Sequence, residues 1–231
     1  MTEFVQFGSK RIYFALQFSQ RKSLGITITP DMQVLVTAPI GTTLEKAKEK
    51  VKSKAAWILK QQGYFLNFYP RTPPRKYVSG ETHLFLGRQH LLQVKRGHPD
   101  QVKRIGLNLQ VITADKQKAR HLLRRWYREM AEAHLPKIAK PLIERFKKFE
   151  IAPPKFVLQE MATRWGSCTS KGKIILNPEL VKAPRGCIEY VIVHELCHLI
   201  HRDHTQKFLD LQSKSMRDWE KWKVKLEKLL A

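Results

Sequence analysis

The sequence predicts an α+β protein. A β-rich N-terminal region with a helix is expected over residues 1–114, and a region of helices with a small sheet over 115–231. Three observations predict it. Apolar and polar residues alternate through the first forty positions, the period of half-buried strands. From Asp115 the apolar spacing changes to threes and fours, the period of helices. The last eighty residues place short apolar runs before a helix-like segment rich in histidine.

The elements follow in order. Ile12, Phe14, Leu16 and Phe18 alternate with Tyr13, Ala15 and Gln17, which reads as a strand. Ile26 to Thr29, Pro30-Asp31 and Val34 to Thr37 read as a hairpin about a Pro-Asp turn. Thr42 to Glu45 has the spacing of a capping box. Leu44, Ala47, Val51, Ala55 and Ile58 then form one apolar helical stripe. Pro70 to Lys76 is expected to be a linker or turn. Tyr77-Val78, Leu84 to Leu86, Leu91 to Val94 and Leu107 to Ile112 read as short strands separated by glycines.

Leu122, Leu123, Trp126, Met130 and Leu135 mark a helix that Pro136 and Pro141 should kink or divide. Phe156 to Leu158 and Lys173 to Asn177 read as strands, with Arg164 to Cys168 as a loop or the start of a strand. Cys187 to Ile200 reads as a helix. Another starts at Thr205, and Trp219, Trp222, Leu226 and Leu229 continue an apolar stripe. No internal repeat is visible.

Composition excludes several classes. Hydrophobic residues make up 42% of the 231 positions, enough for a real core. No run approaches the roughly 20 apolar residues of a membrane span. The N-terminus lacks a basic start followed by an apolar segment. The three cysteines, Cys168, Cys187 and Cys197, are not a disulfide framework, so a cytoplasmic location is expected. Lys plus Arg is 43 against 20 Asp plus Glu, a formal net charge of +23. Such a field attracts polyanions, nucleic acid included. A plain solvated surface is the competing account, because the basic residues are spread along the whole chain.

His194-Glu195-Leu196-Cys197-His198 matches His-Glu-x-x-His. Residues four apart lie one turn up on the same helix face, about 6 Å apart, so two imidazoles converge on one ion. Glu195 lies about 100° round the helix, beside the ion and able to take a proton from water. A catalytic zinc usually has a third protein ligand. His201 lies about 10.5 Å along the axis from His194 if the helix continues. His204 requires the chain to turn back, which Asp203 can allow in a left-handed conformation, with Thr205 as N-cap of the next helix. The turn favours His204, with His201, Asp210 and Glu220 as the other options. Cys197 lies off the histidine face and reads as a small buried thiol.

Arg164-Trp-Gly-Ser-Cys168, Ile175-Leu176-Asn177, His194 to Leu199, His204 and Phe208 together resemble the YgjP-like metallopeptidase family, akin to the SprT-like and WLM proteases among the zincins. Lys54 to Leu59, Tyr77 to Glu81 and Leu84 to Gly87 carry a looser N-terminal match. The resemblance implies a zincin-like metal-dependent hydrolase domain over 115–231. It implies one Zn2+ per chain on His194, His198 and His204, with Glu195 as catalytic base. It also implies a peptide or protein substrate, laid along an edge strand ending at Asn177 above the active-site helix. Many relatives carry Asn where this chain has Asp203, and both residues tolerate the turn. Arg164, Trp165 and Asn177 are candidate substrate-binding residues. Trp165 also reads as a core plug, and Arg164 equally as half of a structural ion pair.

The expected reaction is hydrolysis of a peptide bond by an activated water. Two alternatives stand beside it: a metal-dependent hydrolase of nucleotides or phosphoanhydrides, and a nucleic-acid-associated protease or binding module. No Walker-type loop supports the former.

Overall fold

The computed structural model describes residues 2–29, 31–66, 75–161 and 164–230. Two compact units divide the chain, residues 1–72 and 73–230. In the first, β1 (Thr2–Phe7), β2 (Lys10–Ser19), β3 (Gly25–Ile28) and β4 (Val34–Pro39) form a sheet in the order β1-β2-β4-β3. Helices α1 (Leu44–Ser53) and α2 (Ala55–Leu66) bury Ala47, Val51, Ala55 and Ile58 in one core with Ile12, Phe14, Val34 and Val36. The apolar stripe is as expected, but two helices carry it, divided at Lys54. The cap is one residue late. Thr43 accepts from the Lys46 N–H at 3.4 Å, while the Thr42 hydroxyl donates to the Pro39 carbonyl. Pro30 of the expected turn and residues 70–74 of the expected linker lie outside the described residues.

In the second unit, β5 (Thr82–Phe85), β6 (Arg88–Arg96), β7 (Gln101–Ile105) and β8 (Asn108–Thr113) form a sheet in the order β5-β6-β8-β7. This repeats the first sheet. In both, the outer pairs are antiparallel and the central pair is parallel. The buried register matches as well, with Phe14 opposite Val34 in one and Leu92 opposite Leu109 in the other. The repeat is hidden in the sequence because the buried sites of Val5 and Ile12 are taken in the second sheet by His83 and His90. Strand β7 escaped the sequence reading because it is mostly polar, and Tyr77-Val78 is not a strand.

Phe85, Leu92, Leu109 and Val111 of this sheet share one core with the helices that follow. The expected boundary after residue 114 therefore differs from the division of the compact units. Helix α3 (Ala119–Phe146) is continuous through Pro136 and Pro141. Both prolines are exposed, while Leu135, Ile138, Ala139 and Leu142 are buried. The carbonyls they leave unpaired can be solvated, and the packed face holds the helix together.

Strands β9 (Lys155–Leu158), β10 (Gly166–Cys168) and β11 (Lys173–Leu176) make a small sheet in the order β10-β11-β9. β11 is thus central, not the edge expected of the strand ending at Asn177; the edges are β9 and β10, and β10 is the one that lines the cleft. A 3-10 turn over Pro178–Lys182 leads to α4 (Arg185–His198), α5 (Gln206–Ser215) and α6 (Trp219–Leu230). Helix α4 buries Cys187, Ile188, Val191, Ile192, Val193, Leu196 and Cys197, and a helix apolar on most faces belongs at the centre of a core. Gly186 lets α6 lie against it, since a Cβ there would come within 2.4 Å of the Trp222 indole.

Candidate metal centre and active-site cleft

Helix α4 ends at His198, and the chain then tightens, with the N–H groups of Ile200 and His201 both bonded to the Cys197 carbonyl. The Thr205 N–H bonds back to Asp203. Asp203 does not adopt the left-handed conformation expected of it, nor does the Thr205 side chain cap α5. The turn is made by these short backbone hydrogen bonds instead. It brings His204 back over α4.

His194, His198 and His204 each offer a ring nitrogen, and these atoms all lie within 4.8 Å of one another. The Nε2 atoms of His194 and His204 are 3.1 Å apart. His194 Nδ1 lies 2.9 Å from Gln212 Oε1, and His198 Nδ1 lies 3.2 Å from the His201 carbonyl. An Nδ1 that donates to oxygen leaves Nε2 as the lone pair in a neutral imidazole. Burial pushes His194 down to about 4, against the hydrogen bond it donates to Gln212 Oε1, and keeps its ring neutral. Phe208 is fully buried beneath all three rings, its centroid 4.6–5.1 Å from theirs. Three ring nitrogens gathered this closely fit a divalent ion with nitrogen ligands. His201 contributes its carbonyl, and no ring nitrogen, to this arrangement.

Glu195 is 5% exposed. Burial pushes its carboxyl up to about 7, with the Arg164 charge opposing. It lies flush against β10, because a Cβ on Gly166 would stand 2.6 Å from Glu195 Oε1 and 2.9 Å from Val191 Cγ1. The glycine of the Arg-Trp-Gly-Ser-Cys segment is thus the space the carboxylate occupies.

Arg164 and Trp165 line the same cleft as the three histidines and Glu195. Trp165 is half-buried and packs on the core, as a core plug would. Arg164 is exposed, and among the described residues it forms no structural ion pair. Asn177 does not line the cleft. Its Nδ2 donates to the Met161 and Arg164 carbonyls, and its Oδ1 accepts from the Glu179 N–H. It braces the segment before β10, and its polar atoms are already engaged. Cys197 is fully buried, as expected.

Sequence reasoning missed Gln212 and Gly166. The signal for Gln212 was a lone amide in an apolar stripe, four residues after Phe208 and beside Leu211. Gly166 left no signal beyond its place in a short motif.

A family model described as YgjP-like, metallopeptidase domain, matches residues 22–229. Among curated proteins none matches the chain.

Proposed function

We propose that this chain, which belongs to the YgjP-like metallopeptidase family, is a zinc-dependent peptidase that uses His194, His198 and His204 as ligands and Glu195 as general base. The observation that carries this reading is the convergence of three ring nitrogens within 4.8 Å beside a buried carboxylate. Zinc is the natural ion for three imidazoles with an open fourth position. Bound there, it would supply Lewis-acid polarisation of the scissile carbonyl and acidify water.

The remaining work falls to the chain itself. Gln212 and the His201 carbonyl hold two imidazoles with Nε2 inward. Glu195 accepts a proton from water at a carboxylate oxygen and returns it to the leaving amine. Gly166 keeps that carboxylate at the cleft wall. The outer edge of β10, unpaired among the described strands, suits an extended peptide added as a further strand.

Metal analysis of the purified protein and of His204→Ala, with a peptide turnover screen on the zinc-loaded protein, tests the reading. One zinc per chain, lost in His204→Ala, together with turnover of peptides is the expected result. Zinc retained at full affinity by His204→Ala would move the third ligand to His201, Asp210 or Glu220. A broad peptide screen without turnover would remove the peptidase assignment.

A further inference from the structure

The cleft that holds the three histidines is charged in one sense. Arg164, Lys171 and Arg202 all line it, and Glu195 is the one acidic residue among the lining residues. All three cations are exposed. Among the described residues none of them has an ion-pair partner. Other cations of the unit, such as Arg124, Arg128, Lys147 and Arg185, are each paired with a glutamate; what sets the cleft apart is three cations around one catalytic centre with a single buried carboxylate among them. Asp203, next to Arg202 in the chain, does not line the cleft.

Their placement follows the small sheet. Arg164 stands just before β10, and Lys171 stands just after it, in the turn that the Gly172 N–H closes on the Thr169 carbonyl. Arg202 sits on the other wall, in the segment between His198 and His204. A peptide paired with the free edge of β10 would run from one of the first two cations toward the other.

We infer that the cleft selects acidic peptides, with Asp or Glu on both sides of the scissile bond. The inference rests on the peptidase reading above and gives it a substrate class. Unpaired cations attract carboxylates and repel basic peptides, so they set specificity more than raw affinity. The backbone edge of β10 favours an extended peptide over a nucleotide, which offers no strand to pair with it.

The test uses the full chain loaded with zinc, in the Glu195→Gln form for binding and the wild-type form for turnover. The probes are ten-residue peptides with acidic, neutral or basic residues at the flanking positions, and a nucleoside triphosphate. Acidic peptides are expected to bind on the order of tenfold more tightly than neutral ones. The preference should vanish in Arg164→Glu/Lys171→Glu/Arg202→Glu. It should survive in Lys137→Glu/Lys140→Glu, which reverses two exposed charges of α3 outside the cleft. Equal binding of all peptides overturns the inference, whether or not they are cleaved. So does an acidic preference that the α3 reversals abolish as fully as the cleft reversals, or tighter binding and turnover of the nucleotide. A cleft-dependent acidic preference with no peptide cleaved would instead overturn the peptidase reading and leave the charge selectivity in place.

Discussion

The side-chain carbonyl of Gln212 on α5 lies 2.9 Å from Nδ1 of His194 on α4, and that bond decides which nitrogen of His194 faces the centre of the cleft. Gln212 is 1% exposed, so the hydrogen bond is made without competition from water. A ligand histidine held this way keeps one tautomer and one ring orientation.

Gln212→Leu is therefore expected to lower zinc affinity by about 10–100-fold, measured by competition with a chelator. Gln212→Glu keeps an acceptor at the same place and should retain most of the affinity. If both variants lose affinity equally, and with it thermal stability of the metal-free protein, Gln212 serves packing and not the ligand.

Glu195→Gln is expected to hold zinc and fold normally while turnover of any peptide substrate drops about 10²–10⁴-fold. Gln is nearly isosteric, but it cannot accept the proton of water. Wild-type turnover in a zinc-loaded Glu195→Gln protein would place the chemistry elsewhere in the cleft.

The same variant has a consequence for the metal-free protein. Burial raises the Glu195 carboxyl from 4.5 to about 7. Below the lower value it is protonated whether the chain is folded or not, and its stabilising contribution is fully present. That contribution is lost as pH rises through about 7. His194, pushed down from 6.5 to about 4 by burial, acts the other way, losing stability as pH falls through that window. The two slopes oppose each other in the wild type. Glu195→Gln removes one of them, so it is expected to be more stable than wild type at about pH 8, by on the order of 3 kcal/mol, and equal to it at about pH 4. Urea unfolding in the presence of a chelator reads the difference. Equal stability at the higher pH would mean that the carboxylate is not desolvated in the folded chain.

Gly166→Ala isolates the contact between β10 and the base. Its backbone φ is not in the left-handed region, so alanine meets no backbone strain and only the clashes with Glu195 and Val191 matter. Displacing a catalytic group by about 1 Å can cost about 10²-fold in rate. A fall in kcat of at least about tenfold is expected, with zinc content unchanged. An unaltered kcat would show that Glu195 finds an equally good position without the glycine.

By itself the sequence determined what depends on local geometry. The helical repeat places His194 and His198 on one face and Glu195 beside them, because 3.6 residues per turn is a property of the backbone. The strand and helix periods of the first sheet, α1 and α4 were readable for the same reason. Tertiary structure decided what depends on which elements meet. His204 joins the other two histidines only through the short turn after His198. Gln212 reaches His194 only because α5 packs on α4, and Gly166 matters only because β10 lies against Glu195. The prolines of α3, the repeated sheet topology and the bracing role of Asn177 follow the same rule. Each is settled by packing between residues far apart in the chain, where burial and nonlocal hydrogen bonds outweigh propensities of about 1 kcal/mol or less for an ordinary residue and about 3 kcal/mol for a helix proline.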